Sequence, residues 1–329
     1  MQRSNLLSAW IALGLILVFD FFFTPGFFHL EIKNGHLYGS LVDIVFRAAP
    51  IMILGVGMTL VIATRGIDIS VGSVAAIAGA VAAVLTAKAG APLWVAITVP
   101  LVLTLVLGAW NGIMVAFFGI QPIVATLILM VSGRGIAQLV TDGKIVTFLD
   151  PGLEFFGGGF VLGLPFVLTL VAFLVLAAWA LTRRTALGLF IESVGINARA
   201  SKVAGLPAQL VVFSVFVVSG FCAGLAGLFY ASEIKGADAN NAGLYTELDA
   251  ILAVVIGGTS MDGGKFFLGG TLLGALVMQA LTTTILTFGV PVEATLVLKA
   301  GVVLALCLLQ SPDFRRGLIP YLTRTRKAS

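Results

Sequence analysis

Runs of about 20 predominantly apolar residues recur along the whole 329-residue chain, each long enough to cross about 30 Å of hydrocarbon. Hydrophobic residues make up 59% of the sequence and charged residues only 10%, against about 25% charged in a typical soluble domain. No water-soluble core could hide this much apolar surface. The expected fold is therefore an all-α, polytopic membrane protein of about ten transmembrane helices, near 6–23, 45–63, 69–86, 93–117, 122–140, 161–181, 210–230, 248–261, 266–288 and 290–310. The polar interruptions are too short for a soluble domain, so 1–329 reads as a single transmembrane domain with a cytoplasmic loop at 182–209. The segment 248–261 is short and ends in glycine, which suggests a re-entrant or broken helix covered by protein or lining a cavity. Leu6–Phe23 is aromatic-rich and lacks a small-residue cleavage site, so it reads as an anchor rather than a signal peptide.

The basic residues set an orientation. With the N-terminus inside, Arg3, Arg65, Arg183, Arg184, Arg199, Lys202, Lys265, Arg315, Arg316, Arg324, Arg326 and Lys327 all fall on the cytoplasmic side. Lys33, Lys88, Lys144 and Lys235 fall outside, with Arg47 near them. This asymmetry predicts cytoplasmic termini. It also accounts for the net charge of +4 without a nucleic-acid partner.

Enzymatic readings fail. His29 and His36 are the only histidines and share the first outside loop, no metal-ligand spacing is present, and the GxxxxGK[ST] phosphate loop is absent. No metal and no cofactor is expected on this chain. Cys222 and Cys307 lie within apolar runs and read as small buried hydrophobes.

The stretch TRGIDISVGS (64–73) puts charge between two spans. Gly66 lets the chain reverse, while Asp68 or Ser70 can cap the next helix, and Arg65 faces the cytoplasm. VIATRGID (61–68) is echoed by VIGGTSMD (255–262), with Val, Ile and Asp at the same offsets. Such a faint repeat suits a transporter. Gly220–Gly224 and Gly270–Gly274 are GxxxG spacings for close helix packing, inside one subunit or between two. In the 182–209 loop, a short helix starting near Asn197 should stop at Gly205, with Pro207 following. This helix could be a plain linker or a docking element. The stretch 233–251 reads as a polar outside loop whose side chains suit a polyhydroxyl solute. Asn111, Gln121, Thr126, Arg134, Gln138, Gln279 and Glu293 could line a polar route, and Asn240 and Asn241 could join it.

Three stretches in order carry a resemblance: GMTLVIATRGIDISVGSVAAIAGA (57–80), GINARASKVAGL (195–206) and GADANNAGLYTELDAILAVVIGGTSMDGG (236–264). Together they resemble the permease subunits of bacterial ATP-binding-cassette monosaccharide importers of the ribose, xylose and galactose type. QPIVATLILMVSGRGIAQL (121–139) and GKIVTF (143–148) draw the likeness toward the galactofuranose importers within that family. The resemblance implies a non-catalytic subunit in the bacterial inner membrane. Its partners would be a second, related permease (a heterodimer, or else a homodimer), a cytoplasmic ATPase that uses ATP and Mg, and a periplasmic sugar-binding protein. It also implies that Glu192, Gly195, Asn197, Ala200, Lys202 and Gly205 form the element that couples to the ATPase, with Arg65, Gly66, Asp68 and Ser70 as the signature turn. The rival expectation is an ion-coupled secondary transporter, for which the ionisable groups Asp20, Arg134, Glu293 and Lys299 are few and near span ends.

Overall fold

The computed structural model describes residues 2–24, 26–33, 36–161 and 163–310; Arg315, Arg316, Arg324, Arg326 and Lys327 lie outside them. Every expected span contains a helix. In chain order these are α1 (Gln2–Phe23), α2 (Ser40–Ala63), α3 (Val71–Ala87), α4 (Leu93–Ala116) and α5 (Pro122–Val140), then, after the short α6 (Pro151–Gly158), α7 (Phe166–Arg184). The 182–209 region holds α8 (Leu187–Ile196) and α9 (Ala198–Val203), and α10 (Ala208–Glu233), α11 (Thr246–Ile256), α12 (Leu268–Thr287) and α13 (Val292–Gln310) complete the bundle. By length and apolarity α2, α4, α5, α7, α10 and α12 are each able to cross a membrane.

The seventh apolar span is the hub. α10 packs on α2, α3 and α4, and α2 is buried almost without break from Ala48 to Ala63. α4, α5 and α7 instead bury one narrow stripe and expose the rest, including Trp94, Ile128 and Phe173. Helices apolar all round belong inside, and those with one packed stripe belong at the lipid boundary. Lipid supplies no hydrophobic drive between helices, so close backbone contact has to do the joining. Both GxxxG pairs serve this within the chain. Gly220 and Gly224 lie against Thr104 and Gly108 of α4, and Gly270 and Gly274 against Gly257 and Ala253 of α11. A Cβ at any of the four would overlap the facing helix.

Short antiparallel ribbons tie the loops together. β1 (Glu31–Lys33) pairs with β2 (His36–Tyr38), β3 (Val146–Thr147) with β6 (Gly236–Ala237), and β4 (Phe160–Val161) with β5 (Leu164–Pro165). The last ribbon corrects the expected span 161–181: Gly163 turns the chain at φ +81°, and the helix starts only at Phe166.

Two further expectations change. The loop at 182–209 carries two helices, not one. The stretch after α10 is not an exposed loop. Ala237 packs with Ala82 and Ala83, Ala239 with Ala76, Ile77 and Ala80, and the Gly243 carbonyl lies against Gly72. Residues 236–245 therefore run down the length of α3, about 15 Å from its last turns to its first. α11 begins at that depth. Its 11 residues rise only about 16 Å, half of a bilayer core, so it is a half-helix.

Candidate functional site

The bundle has two ends. At one lie the 64–70 turn, α8, α9 and the 257–267 loop, and at the other the ribbons, α6 and the start of the 236–245 descent. Arg65, Arg183, Arg184, Arg199, Lys202 and Lys265 gather at the first end. At the second, Lys88 bonds Asp142 at 2.8 Å, Lys235 pairs with Glu154 at 2.7 Å, and Arg47 with Glu233 at 3.8 Å. The hydrogen bond from Lys88 and its charge hold the Asp142 carboxyl below the usual carboxylate range.

The signature turn is built around Asp68, only 1% exposed. Its Oδ1 accepts from the Ser70 amide (3.0 Å) and hydroxyl (2.6 Å), and its Oδ2 accepts from Ser219 Oγ of α10 at 2.7 Å. Asn111 of α4 donates to Ser70 Oγ at 2.9 Å, and Thr126 of α5 accepts from the Ile69 amide at 3.3 Å. The expected helix cap is thus replaced by something larger. Ser70 occupies the N-cap of α3 without a side-chain cap bond, and the network of Asp68, Ile69 and Ser70 ties the turn to α10, α5 and α4. Asn111 and Thr126 are buried in this network. Gln121, by contrast, is exposed at the start of α5.

The helix pair α8–α9 sits directly on that turn. Asn197 caps α9 by accepting from the Ala200 amide at 2.9 Å, and the helix stops at Gly205, φ +85°, so the expected start and stop both hold. Gly195 meets the Ala63 carbonyl and the Gly264 amide so closely that a Cβ would collide with both. The Gly264 amide itself donates to Ala63 O at 2.8 Å, and Arg65 Nε donates to Asp262 O at 2.5 Å. The two repeat-like turns, 61–68 and 255–262, therefore touch each other, and α8 is wedged against both. Arg65 holds a left-handed conformation, φ +65°, which this pairing stabilises. Glu192 is half-buried, while Asn197, Ala200, Lys202 and Gly205 are exposed, together with Ile196 and Val203, the latter 91% exposed.

Arg134, expected along a polar route, is bonded to backbone instead. Its Nη1 donates to the carbonyls of Ala239 (3.1 Å) and Ala242 (2.6 Å), satisfying irregular backbone at depth. Gln138 donates to Asn240 at 2.8 Å, and Asn241 to Asp238 at 2.7 Å; Asn240 and Asn241 remain exposed. Two ionisable groups assigned to span ends are buried or paired: Asp20 accepts from Thr284 at 2.7 Å, and Lys299 bonds Asp249 at 2.7 Å. Above α11 a cavity of about 590 Å³ opens between α2, α10 and α12. Among the described residues no cluster could hold a metal ion.

A helical bundle in which six helices are each able to cross a membrane is the build of a polytopic membrane protein. Residues 40–307 match the family described as "Branched-chain amino acid transport system / permease component", and the chain belongs to that family. It is 52% identical over 304 residues to the galactofuranose transporter permease protein YtfT of Escherichia coli (strain K12), covering 92% of this chain and 89% of the relative. It is 40% identical over 316 residues to the fructose import permease protein FruF of Bifidobacterium longum, covering 94% and 88%. It is also 35% identical over 315 residues to the ribose import permease protein RbsC of Escherichia coli (strain K12), covering 94% of each. No solved structure matches the chain.

Proposed function

We propose that the chain is the non-catalytic permease subunit of an ATP-driven monosaccharide importer in the bacterial inner membrane, galactofuranose or a related sugar being the cargo. It works as one membrane domain beside a second, related permease. The end bearing Arg65, Arg183, Arg199 and Lys265 faces the cytoplasm and the ribbon end faces out, so that a periplasmic sugar-binding protein delivers there. ATP and Mg are used by a separate cytoplasmic ATPase. The names of the relatives support the sugar, and the distribution of Lys and Arg supports the orientation.

The observation that carries the coupling role is the contact at Gly195. Force applied by an ATPase to the exposed residues of α8–α9 reaches both repeat-like turns without passing through a flexible link. From Ala63 and Arg65 it enters the Asp68 network and hence α3, α4, α5 and α10; from Gly264 it enters α11 and α12. Alternating access follows if these two groups of helices tilt against each other.

The test is purification of the tagged chain from its native host in mild detergent, followed by identification of bound chains and an ATPase assay. Recovery of a second permease and an ATPase is expected. A chain recovered alone, with uptake that survives ATP depletion but collapses with an uncoupler, overturns the reading in favour of an ion-coupled transporter.

A further inference from the structure

We propose that the cavity above α11 is a transit subsite for a neutral polyhydroxylated solute, an inference that rests on the importer reading. Its cause is the broken helix. α11 starts only at Thr246, capped by Tyr245, and the preceding segment 236–245 reaches that depth sideways, along α3. The space that a full-length helix would fill is left open between α2, α10 and α12. Interrupted helices at mid-depth are where transporters hold their cargo, and about 590 Å³ lies within the range of small-molecule sites, about 300–1,000 Å³.

The lining has the chemistry of a sugar site. Thr246, Thr282, Thr283 and Thr287 all face the cavity. Three of these hydroxyls already donate to carbonyls of their own segments: Thr246 to Gly243 O, Thr282 to Met278 O and Thr287 to Thr283 O, each at 2.8 Å. Their remaining lone pairs accept from a solute. Gln279 donates to Thr283 Oγ1 at 3.2 Å, which leaves its carbonyl and a second N–H for the cavity. Arg47 adds further donors. A sugar hydroxyl donates and accepts at once, so it can use both sets.

The charge balance selects a neutral solute. Arg47 faces Glu233 across the cavity mouth at 3.8 Å, and Asp249 on the floor is bonded by Lys299 of α13 at 2.7 Å. Each charge has an opposite partner, so no net field favours an anion or a cation. The walls are hydrogen-bonding but unspecific, which suits brief occupancy in a route that must release its cargo.

The test is uptake of radiolabelled D-galactose, D-fructose, D-ribose and D-xylose in the native host, with the chromosomal copy replaced by wild type, Thr283→Val, Gln279→Met or Thr283→Trp. Thr283→Val and Gln279→Met keep side-chain volume and remove polar atoms. Each should slow uptake at sub-saturating sugar about three- to tenfold and change the order of preference among the four sugars. Thr283→Trp fills the cavity and should abolish uptake. Membrane level and co-purifying ATPase should stay at the wild-type value in all three. Wild type that imports a sugar while the variants match it in rate and preference overturns the subsite and leaves the importer standing. Loss of uptake seen only with loss of membrane level or ATPase also overturns it, since the residues are then structural. Wild type that imports none of the four in an ATP-dependent manner overturns the importer reading itself.

Discussion

Gly195 and Gly205 flank the same short helix, yet the structure separates them sharply. At Gly195 a methyl group has nowhere to go: the Ala63 carbonyl and the Gly264 amide occupy its position, and both are backbone atoms. Gly195→Ala must lift α8 off the turn, breaking the 2.8 Å bond from the Gly264 amide to Ala63 O. Overpacking of this kind costs about 1–3 kcal/mol and the lost bond about 0.5–1.5 kcal/mol, so a total of about 2–4 kcal/mol is expected. Gly205 has open space around it and needs only its φ of +85°, which costs an alanine about 1–2 kcal/mol. Asparagine tolerates that conformation, so Gly205→Asn should recover most of the loss. The assay pairs thermal unfolding in detergent with ATP-dependent uptake in cells. Gly195→Ala should reach the membrane, melt well below wild type and hydrolyse ATP without uptake. Gly205→Ala should retain most uptake, and Gly205→Asn nearly all. If Gly195→Ala is as stable and active as Gly205→Asn, the α8 contact is not the link between the two turns and the reasoning fails.

Removing the carboxylate in Asp68→Ala strands the Ser70 amide, the Ser70 hydroxyl and the Ser219 hydroxyl in a buried site. A loss of about 3 kcal/mol and poor membrane accumulation are expected, whereas Ser219→Ala should cost about 1 kcal/mol; equal melting temperatures for the two would contradict a hub at Asp68. The Lys88–Asp142 contact should follow pH in a definite direction. The folded-state value of Asp142 is depressed, so its contribution is present above the ordinary carboxylate range and is lost as pH falls through the depressed value. Hydrogen exchange of the 141–147 segment, corrected for intrinsic rates, should lose protection at low pH in wild type and show no such step in Asp142→Asn.

Much of the architecture was legible from the chain alone. Apolar runs fixed in length by the bilayer located every spanning helix, because lipid leaves the backbone no partner but itself. Local rules also read the ends of α9 correctly, from the Asn197 cap to Gly205, since a cap and a left-handed glycine depend on a few neighbouring residues. The small-residue spacings on α10 and α12 announced close packing, though not which helix would be met.

Only the tertiary structure decided the rest, and the common reason is sequence distance. Asp68 looked like the cap of a surface turn because its partner Ser219 lies on α10, far along the chain, and no local pattern brings the two together. Residues 236–245 carry the Asp, Asn and Gly of an exposed loop. They descend along α3 because Ala76, Ala80 and Gly72 leave room for a backbone and because Arg134 bonds the carbonyls of Ala239 and Ala242. The family resemblance marks Gly195 as part of a coupling element, but only the packed structure sets it against Ala63 O and the Gly264 amide. Composition and periodicity act over one helix at a time. The contacts among helices, and the cavity left where α11 stops short, exist only when all of them are packed.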